Sequence, residues 1–312
     1  MKGLELSRKF YEEYGRPALE GFPEALPLIS VGLMGSGSEC LGYDDEVSRD
    51  HDFEPGFCIF IPDESILDRR TAFLLERAYA KLPKEFLGYK RSPLSPVGGN
   101  RHGVILLSDF VESKTGTPDG SLSVGKWLTV PEQSLLELTN GEVFFDGSGE
   151  LTEIRSRLSY LPEDVRLKKL AGELLIMCQS GQYNYPRCIG RGETAAAQLC
   201  INEFVKAAMH TVFLLNKRYM PYYKWSFRAL RELEALSALA PDLEELISTP
   251  NLSDTVPKKM SAIDNICASV TEQLKLQSLT KLDTDVLEGH AYSVNSMIKG
   301  EAVRNLHILA GV

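Results

Sequence analysis

Two short strings in this chain have residue types and a spacing that could carry chemistry. The first is Gly35-Ser36-Gly37-Ser38, directly after the apolar run Ile29–Met34; the second is Asp50-His51-Asp52. Glycines let a backbone approach a ligand closely, and hydroxyl and amide groups at the start of a helix can hold phosphate oxygens. The two carboxylates stand at i and i+2, so on a strand both side chains leave the same face a few ångströms apart. Like charges held that close repel unless cations sit between them, and a pair of hard oxygen donors is the usual way to hold Mg²⁺ against substrate phosphates. Residues 37 to 49 separate the Gly-Ser pair from Asp50. A phosphate cradle joined to a carboxylate pair points to phosphoryl or nucleotidyl transfer. The plainer readings are a flexible turn with a serine N-cap and a solvated acidic strand end. Ser38 is either a second phosphate contact or that N-cap. Arg49 either orients a carboxylate, meets a triphosphate, or forms a surface salt bridge.

Elements to position these residues can be read from periodicity. Residues 4–14 place apolar side chains at helical spacing, and Ile29–Met34 is a short core strand. Residues 49–62 (RDHDFEPGFCIFIP) read as a strand with a Pro-Gly irregularity, which puts both aspartates on it. Residues 66–82 read as a helix with Leu67, Ala72, Leu74, Leu75 and Ala78 facing a core, and His102–Leu107 as an apolar strand. From about residue 150 the stretches 165–180, 193–216, 225–247, 260–278 and 283–308 all carry three-to-four-residue apolar periodicity. The expected fold class is α+β: a mixed sheet with flanking helices over 1–148, then an all-α helical bundle over 149–312, divided at the turn-rich FFDGSGE.

An apolar strand, Gly-Ser, about a dozen residues and Asp-x-Asp together resemble the polymerase β-type nucleotidyltransferase superfamily. The longer string GSGSECLGYDDEVSRDHDFEPGFCIFIPDE is similar to a bacterial branch of it known as a domain of unknown function with a C-terminal helical domain. The strings WLTVPEQSLLEL, GEVFFDGSGELTEIRSRLSYLPEDV and NKRYMPYYKWSFRAL extend the resemblance to about residue 240. It implies a nucleotidyltransferase-like fold in which Gly35 and Ser36 contact the phosphates of an NTP. It also implies that Asp50 and Asp52 bind two Mg²⁺ ions, and that an NMP passes from the NTP to an acceptor hydroxyl in a cleft between the domains. Two features depart from the pattern. His51 stands where an apolar residue is usual, and the strand expected to carry a third carboxylate, HGVILLSDF, has an apolar interior. Asp109 at its end is the candidate third acid. Without one, the alternative is a catalytically degenerate nucleotide-binding or regulatory module; an interaction scaffold built on the helical half would leave the GS…DHD spacing unexplained.

The 312 residues include 34 Lys+Arg against 43 Asp+Glu, a net charge of −9. That balance favours a small-molecule acceptor over a large nucleic acid. No apolar run reaches the eighteen residues of a membrane span, and MKGLELSRKFYEEYG has no secretory h-region, so a cytoplasmic location without membrane partners is expected. Six scattered cysteines form no metal-binding pair and read as reduced, mostly buried thiols. Nothing in the sequence sets the oligomeric state. Glu39, Asp44 and Asp45 read as solvated charges. Asn216–Arg228 concentrates three tyrosines, a tryptophan and four basic residues. There Lys224 is either a triphosphate contact or part of a packing seam. Arg187 and Arg191 form an anion loop or a plain helix entry; His102 opens the strand nearest the motif.

Overall fold

The computed structural model describes residues 1–50, 53–92 and 101–312, with backbone alone at Arg49 and Asp50. The chain parts into two compact units, residues 1–122 with 130–159, and residues 123–129 with 160–312. The change of composition read at 148/149 falls one helix before the crossover at 159/160, because helix Glu150–Arg157 packs back on the first unit's sheet.

In chain order the first unit opens with α1 (Gly3–Phe10), which runs through a π turn into α2 (Arg16–Glu20). Then come β1 (Ser30–Leu33), the one-turn α3 (Ser38–Leu41), β2 (Cys58–Ile61) and α4 (Arg69–Ala80). A small hairpin, β3 (Glu85–Phe86) and β4 (Tyr89–Lys90), precedes β5 (Gly103–Leu106) and α5 (Leu107–Thr115). Helix α6 (Val124–Thr129) belongs to the second unit; α7 (Glu132–Thr139), β6 (Glu142–Asp146) and α8 (Glu150–Arg157) complete the first. The fold is α+β, with a four-stranded mixed sheet in the order β5-β2-β1-β6. Strand β1 runs antiparallel to both β2 and β6, while β2 and β5 are parallel. That arrangement brings the end of β1 and the starts of β2, β5 and β6 to one edge of the sheet. The core under it is built from Leu6, Phe10, Leu19, Ile29, Val31, Phe57, Ile59, Leu75 and Tyr79.

Two expectations are corrected here. The strand over 49–62 begins only at Cys58, and Asp50 closes a 3₁₀ turn, Val47–Asp50. The local cause is Asp45, whose Oδ1 accepts hydrogen bonds from Ser48 N at 3.0 Å and Ser48 Oγ at 3.1 Å and so curls the chain. In α4, Asp68 caps the helix through Arg70 N and Thr71 N, Leu75 and Tyr79 face the core, and Leu74 is 41% exposed.

The second unit is helical, as its periodicity requires: α9 (Glu163–Met177), α10 (Tyr185–Gly190), α11 (Thr194–Leu215), α12 (Tyr223–Leu230), α13 (Ala240–Ser248), α14 (Val256–Leu276), α15 (Leu287–Ser296) and α16 (Glu301–Arg304). The stretch 225–247 is two helices rather than one. Helix α9 is the axis of this unit, buried at every position from Val165 to Leu175, charged residues included. Each buried charge has partners. Arg166 reaches Glu163 at 2.6 Å and the Leu214 carbonyl at 3.2 Å. Glu173 meets His210 at 2.6 Å. Lys168 donates to Asn295 Oδ1 at 2.8 Å and to the carbonyls of Leu306 at 2.8 Å and Arg304 at 3.2 Å. Among the described residues no helix is long and apolar enough to cross a membrane.

Burial lowers the Lys168 ammonium's pKa, and Asn295 Oδ1 and the Leu306 carbonyl accept from it, as does the Arg304 carbonyl, which Asn295 Nδ2 also reaches at 3.3 Å. Lys168→Ala would remove the ties that this buried ammonium makes to the segment around Arg304–Leu306 and leave a cavity, so the unfolding free energy in urea should fall by about 2–4 kcal/mol. Limited proteolysis should then cut first in the segment 304–312. Unchanged stability would show that water replaces the ammonium.

Candidate functional site

The turn that leaves β1 is fixed from far along the chain. Gly35 has φ +131°, a backbone conformation open to glycine and strained for other residues. Asn140 grips that peptide from both sides: its Oδ1 accepts from Gly35 N at 3.0 Å, and its Nδ2 donates to the Gly35 carbonyl at 2.7 Å. Asn140 is itself held by Arg155 of α8. The guanidinium donates to the carbonyls of Leu138 at 3.0 Å, Thr139 at 2.9 Å and Asn140 at 2.8 Å, oxygens that the end of α7 leaves without helical partners. With the Gly35 amide engaged, the next three amides, of Ser36, Gly37 and Ser38, have no hydrogen-bond partner among the described residues. Ser36 is exposed. Ser38 is the first residue of α3 and Gly37 its N-cap, so the N-cap alternative for Ser38 is set aside. Helix α3 has four residues, too few for a sizeable helix dipole.

Two other loops arrive at the same edge. Phe57 leads into β2, and its carbonyl accepts from Gly103 N at the start of β5 at 3.0 Å. Beside that junction the Cys58 thiol donates to the Arg101 carbonyl at 3.2 Å. Burial pushes this thiol up to about 12, so it remains a protonated donor at ordinary pH. The Arg101 guanidinium pairs with Glu39 of α3, with side-chain exposures of 32% and 12%. Both groups lie directly against Gly37, in the space a Cβ there would need. His102, 7% exposed, meets Glu54 through Nδ1 at 3.2 Å. Burial works against a charge on Glu54, but hydrogen bonds from His102 and from the Ser92 amide outweigh it and hold the carboxyl at about 2.

The residues read from the sequence are distributed as follows. Gly35, Ser36 and Ser38 stand at this edge, and Asp50 is the last residue of the Val47–Asp50 turn. Asp52 and the side chains of Asp50 and Arg49 lie outside the described residues. Asp109 is corrected: it sits in the first turn of α5, past the far end of β5, roughly 10 Å of strand from the edge where Gly103 starts. Lys224 lies on α12 in the second unit, exposed, with its ammonium 5.1 Å from the Trp225 ring centroid. Asp44, read as solvated, is 3% exposed and accepts from Gly3 N at 2.8 Å, which ties the start of α1 to the loop after α3. Glu39 is likewise an ion-pair partner rather than a solvated charge. Arg101, Glu54 and Asn140 carry no sequence signal of a site beyond polarity beside an element end. Among the described residues no group of three His, Cys, Asp or Glu could hold a metal ion.

A family model described as a domain of unknown function, DUF4037, matches residues 127–226, about a third of the chain. The match begins at WLTVPEQSLLEL and takes in part of NKRYMPYYKWSFRAL, but it stops short of Gly35 and Asp50. No curated protein matches. Among solved structures, a nucleotidyltransferase-like protein from Exiguobacterium sibiricum 255-15 is similar at 13% identity, with 94% of this chain and 79% of that chain covered. Its TM-score of 0.36 is too low for the likeness to establish a shared fold or function.

Glu54 provides a pH test of this edge. Its pKa is depressed in the folded state, so its contribution is complete above the ordinary carboxylate value and is lost as pH falls from about 4.5 toward 2. Urea unfolding should show wild type losing at most roughly 3 kcal/mol more than Glu54→Gln over that window. Parallel acid limbs for the two proteins would contradict the His102–Glu54–Ser92 arrangement.

Proposed function

We propose that the first unit is a Mg²⁺-dependent nucleotidyltransferase that moves an NMP from an NTP to an acceptor hydroxyl. The observation that carries this reading is the meeting at one sheet edge of the amides of 36–38, without a hydrogen-bond partner among the described residues, and the guanidinium of Arg101. The amides suit phosphate oxygens, and the carboxylates of Asp50 and Asp52, two positions apart in sequence, are hard donors of the kind Mg²⁺ takes. Two Mg²⁺ ions held by Asp50 and Asp52 would supply charge that activates the acceptor hydroxyl and neutralises the departing pyrophosphate. In the reaction the acceptor oxygen bonds to the α-phosphorus as the bond to the α,β-bridging oxygen breaks; pyrophosphate leaves with that oxygen, and the hydroxyl proton passes to solvent. The chain's own part is to hold the phosphates in line at a fixed backbone turn. The net charge of −9 favours a small hydroxylated acceptor over a long nucleic acid.

A second reading, a nucleotide-binding module without turnover, draws support from Asp109, which stands at the wrong end of β5 to serve as the third acid. One experiment separates the two. With α-³²P-labelled NTPs, Mg²⁺ and a panel of small hydroxylated acceptors, wild type should transfer label and release pyrophosphate. Asp50→Asn and Asp52→Asn should each lose ~10²-fold or more of that activity. Label transfer indifferent to both changes would sink the enzymatic assignment, whereas Mg²⁺-dependent NTP binding without pyrophosphate release would select the module.

A further inference from the structure

The amides at 36–38 offer hydrogen bonds to a phosphate but little charge, since the four-residue α3 contributes almost no dipole. A triphosphate at neutral pH carries several negative charges, in a chain whose own balance is −9. A cation at the turn is therefore needed besides any metal. Resting on the nucleotide reading above, we infer that Arg101 is the guanidinium that receives the nucleotide's β- and γ-phosphates, and that Glu39 holds it in place until the nucleotide displaces it.

The geometry supplies three reasons. Arg101 is anchored at its root, because its carbonyl accepts from the Cys58 thiol and the next residue but one, Gly103, is bonded into the sheet. Its tip lies against Gly37, the middle one of the three amides that have no partner among the described residues, and a side chain at 37 would occupy that space. Its partner Glu39 sits one residue past those amides on the same turn, with 12% of its side chain exposed. A carboxylate so placed and a phosphate on the amides compete for one planar fork of donors. Phosphate gains two parallel hydrogen bonds from that fork as carboxylate does, and adds the backbone amides. The exchange makes and breaks hydrogen bonds only: the guanidinium stays protonated, and Glu39 swings out to solvent as an anion. Glu39 is thus a positioning residue that keeps Arg101 pointed at the turn and also opposes ligand entry by its charge.

The two residues should consequently act in opposite directions. Calorimetric titration with Mg²⁺ and ATP, ADP, AMP, GTP or inorganic tripolyphosphate would be run on wild type, Arg101→Gln, Arg101→Lys and Glu39→Gln, with thermal melts as folding controls. Arg101→Gln should weaken ATP and tripolyphosphate about 10-fold or more and leave AMP within about 2-fold. Arg101→Lys should recover part of the loss, since it keeps the charge without the fork. Glu39→Gln should tighten ATP and tripolyphosphate several-fold, a gain that misfolding cannot produce. Wild type that binds none of the phosphates would overturn the nucleotide reading itself. Wild type that binds ATP, with affinity unmoved by Arg101→Gln or weakened by Glu39→Gln, would overturn this inference alone.

Discussion

The peptide of Gly35 is held on both its polar groups by one amide side chain, that of Asn140, and everything at the sheet edge is built outward from that grip. A glycine at φ +131° is the most freely rotating kind of joint in a chain, so left alone it would let the following residues wander. Asn140 matches the peptide donor for acceptor, and Arg155 stiffens Asn140 by binding the three carbonyls around it. The cost of burying this guanidinium is offset because it satisfies helix-end oxygens that would otherwise be orphaned. A turn ordered in this way can present three consecutive amides in a fixed direction, and fixed donors are what a phosphate group needs.

The other loops are tied to the same edge by equally local means. The Cys58 thiol, kept protonated by burial, fastens the backbone of Arg101, and the Glu54–His102 pair fastens its neighbour. Asp44 fastens the start of α1. These contacts are polar, buried or half-buried, and each joins segments far apart in sequence. The hydrophobic core below the sheet fixes which strands are neighbours; the polar ties fix where the loop ends point. Local charge therefore decides the chemistry of the edge, while the net charge of −9 is a property of the whole chain.

Much of the architecture is legible in the sequence because it follows from apolar periodicity. The strand after Ile29, the strand after His102 and the change to helices past residue 150 all follow from patterning alone. Patterning misled where a short-range polar contact overrode it: the Asp45–Ser48 contact lies in a 3₁₀ turn that takes in Arg49 and Asp50, the first residues of the segment that reads as a strand. It also misled at Asp109, since parallel pairing of β5 with β2 decides which end of a strand faces the motif, and no single strand carries that information. The grip of Asn140 on Gly35 spans 105 positions, and nothing local to either residue announces it. In the second unit α9 hides the opposite lesson. Its lysines, arginine and glutamate would ordinarily mark a solvated face, yet they are buried because the surrounding helices provide a partner for each.

The claim that this edge is a phosphate site is tested most directly by a crystal structure of the protein with a non-hydrolysable NTP and Mg²⁺. Phosphate oxygens should lie within hydrogen-bonding distance of the amides of Ser36, Gly37 and Ser38, with Mg²⁺ between them and the carboxylates of Asp50 and Asp52. A nucleotide bound elsewhere, with those three amides still without a phosphate partner, would contradict it.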